Sequence, residues 1–492
     1  MQGLGKETGF IDYKRQPANY REPLQRLKDW KEISILPPSR DLEKQAARCM
    51  DCGVPFCQNG SVLSGMTTGC PLYNLIPEWN ELVYRGNWKE AYLRLSKTNP
   101  FPEFTGRACP APCEAGCVAS LYESSVTIKN IEWAIIDRAF EEGWVSPNIP
   151  KSRTGKKVAI IGSGPAGLAS AAELNQYGHS VTVFERSDRI GGLLTYGIPK
   201  MKIEQHVVDR RINLLKESGI QFVTNTEIGK DYPLEKLQSE FDSVIICTGA
   251  TKPRDLVVDG RELKGIHFAM DYLHSNTKSM LDSNFEDGNF ISAEGKDVIV
   301  IGGGDTATDC VSTALRHNCK SLVQFDIYPE RSISRTEANP WPEYPIIHKL
   351  DHGHEEAVAK FGKEPRSFAT TAIEFIGDDQ GYLAGVRSAE IKTTTNENGK
   401  KIRVKLPGTE KIWPAQLVLL AVGFEGMERE LLKDSNLEIP SKHADQVKNR
   451  YVTNKDGIFI AGDARRGASL IVWAIQEGKE VAAACNEYVM SH

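Results

Sequence analysis

From residue 157 onward, short unbroken apolar runs recur at intervals, several of them running into glycine: "KVAIIGSG", "SVTVFER", "DSVIICTGA", "KDVIVIGGG", "SLVQFDIY" and "AQLVLLAVGF". Runs of this length, rich in Val and Ile, predict strands buried on both faces, as in parallel sheets. Residues 1 to 150 lack strand alternation. They predict short helices, among them "NELVYRGNWKEAYLRL" and "NIEWAIIDRAFEEG", between loops rich in Pro and Gly. The stretch "SPNIPKSRTGKK" predicts a linker between the two regimes. A strand–glycine–helix unit opens at Gly162 and again at Gly302, so one architectural unit is used twice. The segment "DGIFIAGDARRGASLIVWAIQEGKEVA" predicts a strand, a tight turn and a long helix with no partner strands of its own. It is expected to rejoin the first unit. The fold class expected is therefore α/β: a helical N-terminal domain over 1–150, then two Rossmann-like domains. The first spans 151–288 and 426–492, with the second, 289–425, inserted in it.

With 492 residues the chain exceeds a single core and should divide into two to four domains. A formal net charge of −5 without a long basic run argues against a nucleic-acid partner. No run of eighteen apolar residues occurs, which argues against a membrane span. The opening "MQGLGKETGFIDYKRQ" has no apolar signal-like region, so a cytoplasmic location is expected, where thiols stay reduced.

The first glycine-rich turn reads Gly162-x-Gly164-x-x-Gly167 between a strand and a helix, and the following strand ends in Glu185. That order suits a dinucleotide: the turn admits the pyrophosphate, the helix N-terminus faces it, and the acid reaches the ribose. The second turn reads Gly302-x-Gly304-x-x-Ala307, and Asp326 ends its following strand. Asp326 alone suggests NAD, but Arg331 and Arg335 follow closely and could hold a 2′-phosphate, so NADPH is expected. A solvated loop is the plain alternative for both arginines. "HKLDHGHEE" (348–356) groups three histidines and is expected to be an exposed polar turn rather than a metal site.

Seven of the eleven cysteines fall between residues 49 and 117. They run C-x2-C-x4-C-x12-C-P from Cys49, Cys52 and Cys57 to Cys70, then C-x3-C-x3-C at Cys109, Cys113 and Cys117. Zinc favours two close pairs in one tetrahedral site, whereas a run ending in Cys-Pro is the two-cluster ferredoxin pattern. Iron–sulfur clusters are expected, one taking Cys49, Cys52 and Cys57 with a thiol of the second motif. Two 4Fe–4S clusters need eight ligands and the region holds seven thiols, so one ligand must be of another kind. Cys247, Cys310, Cys319 and Cys485 lack the spacing of a redox pair and are expected in the core, which disfavours disulfide reduction.

The glycine-rich turns with "GGLLTYGIP" and "AGDA" resemble the flavoproteins with two dinucleotide-binding domains, whose first site holds FAD. The resemblance implies FAD contacts from Gly162, Gly164, Pro165, Ala166 and Gly167 in the first turn and from Glu185 and Arg186 after the second strand. Gly192, Leu193 and Gly249 would add to these, and so would Gly462, Asp463, Ser469 and Leu470 near the C-terminal helix. Asp463 would meet the ribityl chain, and a helix N-cap is its plain alternative. NADPH contacts would come from Gly302, Gly304, Asp305, Thr306, Ala307, Arg331 and Arg335.

The motifs "CMDCGVPFC", "CPLYNLIPEWNELVYRGNW", "TGRACPAPCEAGCV", "GGLLTYGIPKMK", "GGGDTATDC", "NPWPEYP" and "GDARRGASLIVWAIQEG" occur in one order over the whole length. In this the chain resembles the small (β) subunits of bacterial NADPH-dependent glutamate synthases and the N-terminal part of dihydropyrimidine dehydrogenases. The resemblance implies one 4Fe–4S cluster on Cys49, Cys52, Cys57 and Cys117. It implies a second on Cys70, Cys109, Cys113 and Glu132, against the plainer reading of Glu132 as a surface helix acid. It implies FAD, NADPH and two clusters in an electron-input subunit of a hetero-oligomer. The partner would be a large (α) subunit with FMN and 3Fe–4S that makes two glutamates from glutamine and 2-oxoglutarate. Relatives usually have three residues between the cysteines here numbered 57 and 70, and the twelve of "QNGSVLSGMTTG" are expected to loop out. A stand-alone or bifurcating ferredoxin:NADP oxidoreductase is the competing activity, and a non-enzymatic scaffold subunit the competing class.

Overall fold

A computed structural model describes residues 7–397, 401–432, 436–439 and 450–492. Parts of the 426–492 segment, residues 433–435 and 440–449, therefore lie outside the described residues, as do residues 1–6.

The N-terminal region is helical. The helices Ser39–Ala47, Ile76–Tyr84, Trp88–Leu95, Pro102–Ala108 and Ile128–Glu141 turn their apolar faces inward, burying Trp79, Val83, Phe101, Phe104, Ile131 and Ile135. Each large side chain so buried contributes on the order of 2 kcal/mol, which is what holds short helices that would not persist alone. Residues 58–69 do not hang free. Their alternation of small and β-branched residues forms a hairpin, Ser61–Leu63 against Met66–Thr68, turning at Ser64 and Gly65. Its base closes where the Cys70 N–H donates to the Cys57 carbonyl at 2.8 Å.

Two five-stranded parallel sheets follow, and both use the same plan. In the first, Lys157–Ile161 lies between Ser180–Phe184 and Ser243–Ile246. Gln221–Val223 extends one edge, and Ile458–Ile460 pairs with Ser243–Ile246 on the other. In the second, Asp297–Ile301 lies between Ser321–Phe325 and Leu417–Leu420, with Arg366–Ser367 and Ile266–Phe268 at the edges. Each central strand thus stands where the strand order reverses, the place at which open α/β sheets bind ligands. Ile266–Phe268 is a strand of the second sheet although it precedes residue 288. Three residues, "IHF", are too short to announce a buried strand, which is why the sequence pattern passed over it.

The chain crosses between the two sheets twice, and the crossings Lys252–Pro253 and Phe424–Gly426 pair antiparallel as a short ribbon. A further antiparallel sheet, Thr370–Gly377, Leu383–Thr395, Lys401–Lys405 and Lys411–Pro414, covers part of the second unit. Strict strand–helix alternation had no place for it, although "AEIKTTT" and "KIRVK" carry the polar–apolar period of half-exposed strands.

The helix Ile471–Ser491 packs along Pro165–Gln176, the helix after the first glycine-rich turn. Gly478 permits the close crossing: a side-chain carbon there would fall 2.3 Å from the Ala166 carbonyl oxygen. Ser170 fixes the register by donating to the Gly478 carbonyl at 2.9 Å.

Candidate functional site: two thiol-lined cavities and two dinucleotide turns

The seven clustered cysteines divide between two cavities. Cys49, Cys52, Cys57 and Cys117 line one, with Phe56, Asn80 and Val126 among its other walls. Cys70, Cys109, Cys113 and Glu132 line a second, with Trp79 and Val472. Ile76 and Ile128 belong to both, so the cavities share a wall. Local backbone makes the second motif possible: Ala111 adopts φ +57°, a costly conformation for a side-chain-bearing residue, and its N–H donates to Cys109 Sγ at 3.4 Å.

None of the eleven cysteines is bridged in a disulfide, and among the described residues no three His, Cys, Asp or Glu side chains converge as a single metal ion requires. The thiols instead surround volumes. Burial raises the pKa of Cys57, and the neighbouring Cys117, Cys49 and Cys52 raise it further. Burial and then the Glu132 carboxylate push Cys70 up to about 12. Such crowding of buried thiols is unfavourable for bare thiolates, and a polynuclear cation that binds them deprotonated would resolve it. Glu132 is not a surface acid. It is 6% exposed, accepts from Asn99 and Thr105 at 2.7 Å each, and burial moves it up to about 7. The cavity walls also carry orphaned polar atoms: the Trp79 indole N–H and both amide atoms of Asn80 are buried without a hydrogen-bond partner. The number of thiols, their division between two enclosed sites and the unpaired donors fit iron–sulfur clusters.

At the first dinucleotide turn, Gly162 has φ +101°, and a side-chain carbon there would strike the Cys247 carbonyl at 2.5 Å. Gly164 faces open space, as a pyrophosphate cradle must. Pro165, Ala166 and Gly167 begin the helix. Glu185 is held under the turn, its Oε2 accepting from Ser163 Oγ at 2.5 Å and from the Ser163 N–H at 3.1 Å. Ser163 Oγ in turn accepts from the Gly191 N–H at 2.9 Å, and a side-chain carbon on Gly192 would lie 2.9 Å from Gly164 Cα. The "GG" turn, with Leu193 half exposed beyond it, thus leans on the first turn. Gly249 faces open space, whereas Arg186 turns to Glu428 at 2.8 Å.

Gly462 precedes the short helix Asp463–Arg466, so Asp463 is the first helical residue rather than its cap. Its Oδ1 accepts from Ser469 Oγ at 2.5 Å, and burial raises its pKa. Leu470 caps the helix Ile471–Ser491. The turn is pinned by Glu477, which the sequence pattern did not single out: it is 2% exposed and accepts from the Gly462 N–H at 2.9 Å, from Arg465 Nε at 3.1 Å and from Arg466 Nε at 3.0 Å.

The second turn repeats the first. Gly302 has φ +143° with the Ala421 carbonyl 2.2 Å from where a side-chain carbon would stand, Gly304 faces open space, and Asp305, Thr306 and Ala307 begin the helix Asp305–Arg316. Asp326 crowds Gly303, whose side-chain carbon would lie 2.6 Å from its oxygens. Arg331 lies over the Tyr328 ring at 4.8 Å, while Arg335 turns away to the Asn339 carbonyl at 3.4 Å. A second guanidinium, Arg403, lies over the same ring at 5.1 Å. Backbone register brings it there: the Ala369 N–H donates to the Tyr328 carbonyl, the Ile391 N–H donates to the Ala369 carbonyl, and Thr393 pairs with Arg403. Because Arg403 is 72 residues on, spacing could not reveal it.

The two units meet where Lys202, of "GIPKMK", donates to Asp309 at 2.9 and 3.1 Å. The segment "HKLDHGHEE" is no exposed turn. Asp351 caps the helix His352–Phe361 in a capping box with His354, and His352, His354 and Glu356 are buried. His354 stays neutral, its pKa brought down to about 3 by burial, and its Nε2 pairs with Gln324 at 2.9 Å. Cys247, Cys310, Cys319 and Cys485 sit in the core.

Two family models match: pyridine nucleotide-disulphide oxidoreductase over residues 156–478, and dihydropyrimidine dehydrogenase domain II, 4Fe-4S cluster, over residues 26–144. The chain is 58% identical over 487 residues to the glutamate synthase (NADPH) small chain of Bacillus subtilis (strain 168), covering 99% of each. It is 45% identical to the small chain of Mycobacterium tuberculosis (strain ATCC 25618 / H37Rv), covering 98% of this chain and 96% of that one. It is also 48% identical to the glutamate synthase (NADH) of Schizosaccharomyces pombe, over 97% of this chain but 22% of the fungal protein. Among solved structures, Mycobacterium tuberculosis FprA in complex with NADPH shares the fold, at TM-score 0.51 and 18% identity over 68% of this chain and 85% of FprA.

Proposed function

Since the chain belongs to the family of glutamate synthase small chains, we propose that its cavities and turns form one route, from a nucleotide on the second sheet to the surface of the N-terminal domain. The chain is the electron-input subunit of a glutamate synthase. It oxidises NADPH for a large subunit that makes two L-glutamate from L-glutamine and 2-oxoglutarate. One observation carries the route: Val472, two residues past the Leu470 cap at the first dinucleotide site, is a wall of the Glu132 cavity, which shares Ile76 and Ile128 with the Cys117 cavity. When bound, FAD supplies the exchange between the electron pair of a hydride and single electrons, and 4Fe–4S clusters supply their onward transfer.

The chain's own residues hold and orient these groups. Cys49, Cys52, Cys57 and Cys117 would ligate one cluster, and Cys70, Cys109, Cys113 and Glu132 the other. Gly162 and Gly164 would admit the FAD pyrophosphate, Glu185 would serve its ribose, and the N-terminus of Ile471–Ser491 would offer its positive end. In the second turn, Gly302, Gly304 and Thr306 would take the NADPH pyrophosphate. Arg331 and Arg403, rather than Arg335, would take the 2′-phosphate against the opposing charge of Asp326. Lys202 keeps the second helix aligned with the first unit through Asp309. Cys52, partly exposed, makes the Cys117 cavity the outer of the two and the Glu132 cavity the inner, and it marks where electrons would leave. No acid–base residue is assigned, because cofactors carry the chemistry.

A large subunit with FMN and a 3Fe–4S cluster, a hetero-oligomer with it, and a cytoplasmic setting complete the reading. Unbridged thiols support the last, and no described helix is long and apolar enough to cross a membrane. The FAD domain is taken as 151–288 with 426–492 and the NADPH domain as 289–425, with Ile266–Phe268 contributing to the latter's sheet. The test is anaerobic affinity purification from the native cell. A large companion protein and glutamine-dependent NADPH oxidation with 2-oxoglutarate are expected. A solitary flavoprotein that reduces ferredoxin and ignores glutamine would overturn the reading.

A further inference from the structure

Trp79 and Asn80 are consecutive on the helix Ile76–Tyr84, and both are 0% exposed. Consecutive helical side chains diverge by about 100°, so one helix can address two sites. Here it does: Trp79 lines the Cys70–Cys109–Cys113–Glu132 cavity and Asn80 lines the Cys49–Cys52–Cys57–Cys117 cavity, neither lining the other's. The Trp79 indole N–H and the Asn80 amide are both buried without a partner. Leaving such groups unpaired is costly, and buried polar side chains without a partner are few in native structures. Among the described residues lining the Cys117 cavity, the thiols and Asn80 are the only polar side chains. In the other, Asn74 is already engaged, its Oδ1 accepting from Thr98 at 2.7 Å, and Lys129 brings an ammonium to the wall beside Glu132.

We propose that each orphan donor serves one cluster: the Asn80 amide N–H donates to a sulfur in the outer cavity, and the Trp79 indole N–H to a sulfur in the inner one. The proposal rests on the reading of both cavities as 4Fe–4S sites. An N–H aimed at cluster sulfur stabilises the reduced cluster, which carries one more negative charge, over the oxidised one. Both residues therefore raise their cluster's potential. They act as positioning and tuning residues, and they divide that work between the two clusters from a single helix.

The test is an anaerobic redox titration of the full chain, followed by electron paramagnetic resonance, for wild type, Asn80→Leu and Trp79→Phe. Each substitution keeps bulk and removes one donor. Each is expected to make one cluster about tenfold harder to reduce, a displacement of about −59 mV for one electron, with the two variants moving different waves. Electron–nuclear double resonance on the wild type exchanged into heavy water is expected to show exchangeable deuterons coupled to both reduced clusters, and it does not depend on how a variant folds. Shifts of less than threefold, both variants moving the same wave, or no coupled deuterons would overturn the proposal. Absence of any 4Fe–4S signal from the wild type would instead overturn the cluster reading on which it rests.

Discussion

Replacing Glu356 with leucine is expected to release the N-terminal arm, residues 13–36, from the second unit. Glu356 is 0% exposed and accepts from Arg26 Nε at 2.6 Å, Ser312 Oγ at 2.6 Å, and Arg316 Nη1 and Nη2 at 2.8 and 3.1 Å. Both guanidiniums have side chains only 1% exposed. Arg26 keeps Glu355 at 3.0 Å, but Arg316 is left with carbonyl oxygens alone. Removing one partner of a buried ionic cluster costs about 3–5 kcal/mol, because the remaining charge has neither water nor counter-ion. At 1.36 kcal/mol per decade, that predicts roughly 200- to 5000-fold faster opening of the arm. Native-state hydrogen exchange reads it at the amides of Arg26, bonded to the Glu22 carbonyl, and Ile33, bonded to the Met201 carbonyl. The compensated variant Arg26→Met, Arg316→Met, Glu356→Leu removes every charge of the triad and should return exchange to within tenfold of wild type. An acceleration of less than tenfold for Glu356→Leu alone would refute this account of what holds the arm.

Arg403→Gln should lower the ratio of kcat/KM for NADPH over NADH by tenfold or more, and weaken adenosine 2′,5′-bisphosphate binding by isothermal calorimetry. The same charge change at Lys405→Gln, on the same exposed strand, should leave that ratio within twofold. Gly162→Ala should destabilise the fold by about 2 kcal/mol or more, given φ +101° and the 2.5 Å approach to the Cys247 carbonyl, seen as a lower thermal midpoint. Gly164→Ala, facing open space, should keep that midpoint in the apoprotein but lose FAD, seen as lost flavin absorbance. Lys200 is 3% exposed and burial brings its pKa down to about 7. Between pH 7 and its ordinary value the unfolded chain binds a proton that the folded chain does not, so this residue's penalty shrinks as pH rises. Lys200→Met should therefore be more stable at pH 7, by roughly 3 kcal/mol once the unpaired Leu194 carbonyl is deducted, with the gap closing toward pH 10 in urea titrations.

What was legible in the sequence was whatever chemistry ties to fixed spacing. The glycine-rich turns could be read because Gly162 and Gly302 need positive φ and Gly164 and Gly304 need bare space, and no other residue provides both. The clustered cysteines declared themselves by density, and the two cavities they line divide them as the family's pattern implies. Helix His352–Phe361 was misread because histidine and glutamate predict exposure, and only a partner as distant as Arg26 makes their burial tolerable. Arg403 stayed hidden for the same reason: its place is set by strand register, not by any neighbour in sequence. Trp79 and Asn80 could be read as helix but not as donors, because an unpaired group shows itself only when its surroundings are known.

The helix Ile471–Ser491 has a consequence for how the molecule is put together. It packs on the first dinucleotide helix, contributes Val472 to the inner cavity, and sends the Trp473 indole N–H to Thr67 of the hairpin at 2.8 Å. It follows every clustered cysteine and both glycine-rich turns in the chain, so it is the last wall of the inner cavity to be made. Loading of that cavity is therefore expected to precede the seating of this helix, and oxidants are expected to reach Cys52, which is only partly buried, before the thiols of the inner cavity.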